Sequence, residues 1–163
     1  MAKKKKSTAK TIPMRALEEK GIAYEPRQQT RKQYTAEGVA EDLGVPVAWV
    51  VKAMIVQRSD RRFALVVIPG DRQLSLKKVS TALDDKNVAL ARERDVQRVT
   101  GYQVGAVSVL GFRRTDVPCY LDQRLLDLEQ VIISAGRPDV GLALSPADLM
   151  RAFEGAQVGD FAS

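Results

Sequence analysis

Val50-Val51-Lys52-Ala53-Met54-Ile55-Val56-Gln57-Arg58-Ser59-Asp60-Arg61-Arg62-Phe63-Ala64-Leu65-Val66-Val67-Ile68 holds two apolar, β-branched runs around a polar turn. Val50 to Gln57 and Arg62 to Ile68, separated by Ser59-Asp60-Arg61 and closed by Pro69-Gly70-Asp71, predict an antiparallel hairpin. Helical patterns precede it. Ile12 and Leu17, with Thr11 and Pro13 in front and Gly21 behind, predict one short helix; Thr35 to Leu43, stopped by Gly44, predicts a second. Val45-Pro46 then restarts the chain toward Trp49. Beyond the hairpin, Leu76 to Leu83 and Asp95 to Val99 have helical spacing, with Val88 to Ala91 a short strand between them. Val117 to Leu121, Val131 to Ser134 and Leu142 to Leu144 are further strand candidates. Ser145-Pro146-Ala147-Asp148 is a capping box with proline at the first helical position, and opens a last helix ending near Gly155. Strands in runs, rather than in strict βαβ alternation, predict an α+β domain with a mixed or mostly antiparallel sheet.

The chain has 163 residues, long enough for one domain with a real core and short for two. No internal repeat divides it. Its longest apolar runs, Trp49 to Val51 and Ala64 to Ile68, are too short to span a bilayer. The net charge of +6 is misleading, because five of the 26 basic residues are Lys3, Lys4, Lys5, Lys6 and Lys10, leaving 21 basic against 20 acidic. Residues 1–10 therefore read as a disordered basic tail with salt-dependent affinity for phosphate, and 11–163 as the folded domain. No apolar stretch follows the lysines, so they are not a secretory signal, and the expected compartment is the cytoplasm. The single cysteine, Cys119, fits a reducing compartment.

There is no histidine. That removes the commonest general base, the Ser-His and Cys-His arrangements, and most catalytic zinc sites. Neither phosphate-loop nor dinucleotide glycine fingerprints occur, and no metal or cofactor is expected. Lysine, carboxylates and backbone remain. Gly101-Tyr102-Gln103-Val104-Gly105-Ala106-Val107-Ser108-Val109-Leu110-Gly111 interrupts an apolar run with three glycines; it reads as a bulge or hairpin corner, or as backbone built to approach a ligand. Lys52 shares a strand face with Val50, Met54 and Val56, as a solvent-facing lysine or as an ammonium beside a substrate carbonyl or anion. Ser134-Ala135-Gly136-Arg137 reads as a small-residue loop at a strand end. Lys77 and Lys78 read as the wet face of a helix, Asp84-Asp85 as a turn, and Cys119 as packing.

Taken in order, Lys52 in its apolar strand, Val66-Val67-Ile68-Pro69-Gly70-Asp71, Leu74-Ser75-Leu76-Lys77-Lys78, Thr100 through Gly111, and Val131-Ile132-Ile133-Ser134-Ala135-Gly136 resemble the YbaK/EbsC family. These are free-standing relatives of the bacterial prolyl-tRNA synthetase editing domain. The resemblance runs from about Thr11 to Phe161. It implies a compact α+β fold on a mixed, partly closed sheet with flanking helices, and hydrolysis in trans of the ester between a wrong amino acid and its tRNA. It assigns Lys52 as the functional lysine, holding the tRNA 3′ end or the substrate. It places Gly101, Tyr102, Gly105, Ala106, Val107 and Ser108, with Ser134 and Gly136, beside the aminoacyl ester. In the YbaK branch the thiol of a cysteinyl substrate attacks its own ester, which needs no protein nucleophile.

The chain departs from the family's pattern at Ala106, for the second glycine of a pair, and at Val109, for a proline. Ala53 follows the lysine in place of threonine, Ala135 replaces a common glycine, and Gly141 stands at a usual aspartate, with Asp139 nearby. The resemblance therefore implies a deacylase with Cys-tRNA(Pro) or Cys-tRNA(Cys) as leading substrate and Ala-tRNA(Pro) next, with prolyl-tRNA synthetase a partner in a transient complex. A non-catalytic module of the same fold that binds tRNA or a synthetase is the alternative, and a small-molecule esterase the third.

Overall fold

The computed structural model describes residues 9–163; the lysines at 3–6 and the rest of the tail before residue 9 lie outside them. Helix α1 (Ile12–Glu19) leads to strand β1 (Glu25–Gln28), α2 (Ala36–Leu43), a short 3-10 turn at Val47–Trp49, and the hairpin β2 (Lys52–Gln57) and β3 (Phe63–Ile68). Then come α3 (Leu76–Leu83), β4 (Ala89–Leu90), α4 (Glu93–Thr100), β5 (Cys119–Asp122), β6 (Val131–Arg137), β7 (Val140–Leu144), α5 (Pro146–Arg151) and β8 (Gln157–Gly159). The expected α+β class holds.

Local chemistry explains most of the helix ends. Thr35, Ser75 and Ser145 each accept a bond from the backbone N–H three residues on, at 3.0, 3.2 and 3.1 Å, satisfying an otherwise orphaned donor. Gly44 ends α2 at φ 69°, where a side chain would be strained. Thr11 occupies the same position before α1 but makes no side-chain bond there. Lys10 pairs with Glu18 at 2.9 Å.

The hairpin pairs Lys52 with Ile68 through to Gln57 with Phe63. It sits in a five-stranded sheet of order β4-β2-β3-β5-β8, while β1-β7-β6 forms a second, antiparallel sheet. Strand β3 is buried along its whole length because cores lie on both its faces. Phe63, Leu65 and Val67 join one core with Leu121, Ile133 and Leu142; Ala64, Val66 and Ile68 join another with Val79 and Phe161. Losing one of these buried aliphatic side chains to alanine costs about 2–5 kcal/mol.

Three expectations change. The sheet is not partly closed: among the described residues it is two open sheets joined through a single parallel bridge, Val50 to Ile132, because β2 diverges from β6 after Val51 and regains an outer neighbour at Ile55, whose carbonyl accepts from the Ala91 N–H. Residues 101–111 are neither strand nor hairpin corner but an irregular loop between α4 and β5. Residues 134–137 are the end of β6, where its pairing with β7 shifts register between Ser134 and Arg137 and Gly136 takes φ 89°.

Candidate functional site

Between the two sheets lies a cavity of about 650 Å³. Its floor is Val50 and Val51 with the outer edge of β2 as far as Ile55; β6 closes one side, the glycine loop and Tyr34 the mouth, and the start of α4 the far end. Most of the wall is aliphatic, suited to a small apolar side chain.

Lys52 reaches this wall half-buried, and its Nζ donates to the Arg72 carbonyl at 2.7 Å. An ammonium carries three donors, so two remain for a ligand. Among the described residues it is the only lysine on the wall. Arg137 also lines the cavity, but its fork is held by Asp139 at 2.9 and 2.8 Å, and that pairing lowers the Asp139 pKa. Glu37 and Glu93 supply the carboxylates at the exposed rim.

The residues expected beside the ester divide into two groups. Lys52, Gly105, Val107 and Ser134 line the cavity. Gly101, Tyr102, Ala106, Ser108 and Gly136 stand behind it and fix the loop. Gly101 caps α4 at φ 85° and lies near Arg113. The buried Tyr102 hydroxyl donates to the Leu110 carbonyl at 2.7 Å, and desolvation pushes its pKa up to about 12. Ser108 is fully buried. Ser134 Oγ ties the two segments together, donating to the Ala106 carbonyl at 3.2 Å and accepting from the Gly136 N–H at 3.0 Å. Gly105, at φ 91°, lets the loop pass against Tyr34, whose Cβ would be 3.0 Å from any added Cβ.

The departures from the family pattern separate in the same way. Ala106, Val109 and Ala135 are buried in the packing behind the loop, whereas Ala53 and Gly141 lie on the cavity wall. A Cβ at Gly141 would meet the Ile132 Cγ2 at 2.7 Å, so Ile132 fills the space a larger residue there would need. Asp139 is turned to Arg137 and is not on the wall.

Cys119 lies away from this cavity, on a second one, and burial pushes its thiol up to about 12, which leaves it a poor nucleophile. Lys78 is committed to Asp160 at 2.9 Å and the Ala162 carbonyl at 2.8 Å. Among the described residues no group of three or more acidic or cysteine side chains is placed to hold a metal, and no helix is long and apolar enough to cross a membrane. Sequence reasoning missed Tyr34 and Glu93, which carry no periodic signal and reach the wall only through the tertiary fold.

The aminoacyl-tRNA editing domain model matches residues 30–152, which hold every lining residue of this cavity except Gln29, and the chain belongs to that family. Among its relatives, the Enterococcus faecalis protein named "Putative Cys-tRNA(Pro)/Cys-tRNA(Cys) deacylase EbsC" is 30% identical over 149 residues, 90% of each chain. The proline–tRNA ligase of Limosilactobacillus fermentum is 25% identical over 96% of this chain but only 27% of its own length. A solved structure described as "a putative trans-editing enzyme for prolyl tRNA synthetase" superposes with a TM-score of 0.84 at 26% identity, covering 93% of this chain and 95% of that one.

Proposed function

We propose that this protein is an aminoacyl-tRNA deacylase that acts in trans on mischarged tRNA. The observation that carries the reading is a mostly aliphatic cavity with one lysine on its wall, in a chain of the editing-domain family. The aliphatic wall takes the amino-acid side chain, and the two free N–H donors of Lys52 hold the ester carbonyl or the 3′-terminal ribose and phosphate. Hydrolysis adds a water oxygen to the ester carbonyl carbon and breaks the bond to the ribose oxygen, which takes the proton. With a cysteinyl substrate the thiol adds instead, its proton passing to the ribose oxygen, and water later opens the thiolactone. Neither route requires a side-chain base, consistent with a wall that carries no histidine or cysteine.

The leading substrate is Cys-tRNA(Pro) or Cys-tRNA(Cys), with Ala-tRNA(Pro) second. Prolyl-tRNA synthetase is the partner from which a mischarged tRNA is handed over, and the compartment is the cytoplasm. The test is amino-acid release from a panel of these mischarged tRNAs, wild type beside Lys52→Ala. The expected result is turnover that falls on the order of 10²-fold in the variant. No turnover on any ester, with tRNA binding intact, would replace the enzyme with a binding module.

A further inference from the structure

Strand β2 has a gap in its outer neighbour that is one residue wide. Its register with β3, and the bond from the Arg58 N–H to the Arg62 carbonyl at 2.8 Å, make the even-numbered residues exchange bonds with β3. The odd-numbered residues therefore aim their N–H and C=O at the opposite edge. At one end the Val51 N–H donates to the Ile132 carbonyl at 3.0 Å; at the other the Ile55 carbonyl accepts from the Ala91 N–H at 2.9 Å. Ala53 lies between these two points, on the cavity wall, and among the described residues no strand pairs with that edge of it. Its N–H and C=O face the cavity together.

We infer that the Ala53 peptide docks the aminoacyl group itself, which fills the place of the missing strand residue. This rests on the deacylase reading and deepens it. An aminoacyl ester repeats the N–Cα–C=O of a strand residue, and two residues opposed in an antiparallel ladder exchange two hydrogen bonds at a Cα separation of about 5.5 Å. The Ala53 N–H donates to the ester carbonyl, and the substrate's α-ammonium donates to the Ala53 carbonyl. That sense of pairing sends the ester toward Lys52 and the α-ammonium toward Ala91 and the carboxylate of Glu93. It also puts the substrate side chain on the same face as the Ala53 methyl, toward Val96 and Val107. The N–H then stays in place as charge builds on the ester oxygen, a backbone oxyanion donor in a site without a histidine.

Two measurements test this. In 15N-labelled wild type, titration with 3′-cysteinylamino-3′-deoxyadenosine, whose amide link resists hydrolysis, should move the Ala53 amide downfield and slow its exchange. Binding that shifts Val107 and Ser134 amides but leaves Ala53 unmoved overturns the inference. In the second, Ala53→Pro removes the N–H at an edge position where proline is tolerated, because that N–H takes no part in the ladder with β3. The expected result is a retained melting temperature with kcat lower on the order of 10²-fold and a smaller change in KM. An Ala53→Pro protein that deacylates at the wild-type rate overturns the inference and leaves the deacylase standing. Wild type that turns over no ester, while its Ala53 amide responds to the analogue, overturns the deacylase and leaves the docking.

Discussion

Gly136→Ala should cost about 2–5 kcal/mol, and the cost can be built from backbone strain and one close contact. Gly136 sits at φ 89°, outside the range an L side chain adopts without strain, which contributes about 1–2 kcal/mol. The added Cβ would also stand 2.8 Å from Tyr102 Cε1 and 3.5 Å from the Pro13 Cδ. The Tyr102 ring cannot swing away freely, because its hydroxyl is held by the Leu110 carbonyl at 2.7 Å and the residue is buried, so overpacking adds about 1–3 kcal/mol. Urea unfolding followed by the fluorescence of the single tryptophan, Trp49, measures the sum. The double-mutant cycle separates its parts: in a Tyr102→Ala background Gly136→Ala should cost only the backbone strain. A loss below about 1 kcal/mol in the wild-type background would refute the argument, since the strain alone exceeds it. Because Tyr102 braces the loop that carries Gly105 and Val107, deacylation per folded molecule should fall as well.

Asp122 is wholly buried and accepts from the Phe161 N–H at 2.8 Å, the Arg124 N–H at 3.0 Å and the Arg124 guanidinium at 3.1 Å. Asp122→Ala should lose about 1–3 kcal/mol in urea unfolding, because the buried Phe161 N–H loses its acceptor while Arg124 keeps Asp160, and activity per folded molecule should stay unchanged, since the residue is remote from the cavity. Burial pushes both the Cys119 thiol and the Tyr102 phenol up to about 12, so the folded chain holds protons that the unfolded chain releases above about pH 9–10. Stability should be level below that range and fall toward pH 12, at up to about 1.4 kcal/mol per pH unit for each group, with Cys119→Ala removing the thiol's share; stability that rises with pH there would refute it. A thiol reagent at pH 8 should modify Cys119 slowly in the native protein and fast in denaturant.

The parts of the fold legible in the sequence are those whose signals are local. The hairpin announces itself by its apolar runs, α3 by its spacing, and α2 by Thr35 and Gly44. Strands β1 and β8 escape because they are edges. Glu25-Pro26-Arg27-Gln28 has no alternation and is mostly exposed, and becomes a strand only because β7 lies beside it. The site is legible in the same measure. Period two puts Lys52 on one face of β2 with Met54 and Val56, but the cavity is made by the strand's edge rather than by either face. An edge left without a neighbour is a matter of how two distant sheets diverge, and no window of sequence carries it.

That divergence explains how the site arises without a catalytic histidine. An exposed strand edge is ordinarily a liability, because unpaired peptide groups invite another chain to add to the sheet. Here the gap is held open between two fixed points, the Ile132 carbonyl on Val51 and the Ala91 N–H on Ile55, and roofed by a loop braced through Tyr102 and Ser134. A full strand cannot enter, but one residue can. The small side chain of Ala53 and the crowding of Ile132 against Gly141 then fix how much room that residue has. Ala106 and Val109, buried behind the loop, act on the site only through the loop's packing. Substitutions at Ala53 should therefore change which amino acid is removed, and substitutions at Ala106 or Val109 should change how firmly the loop is held.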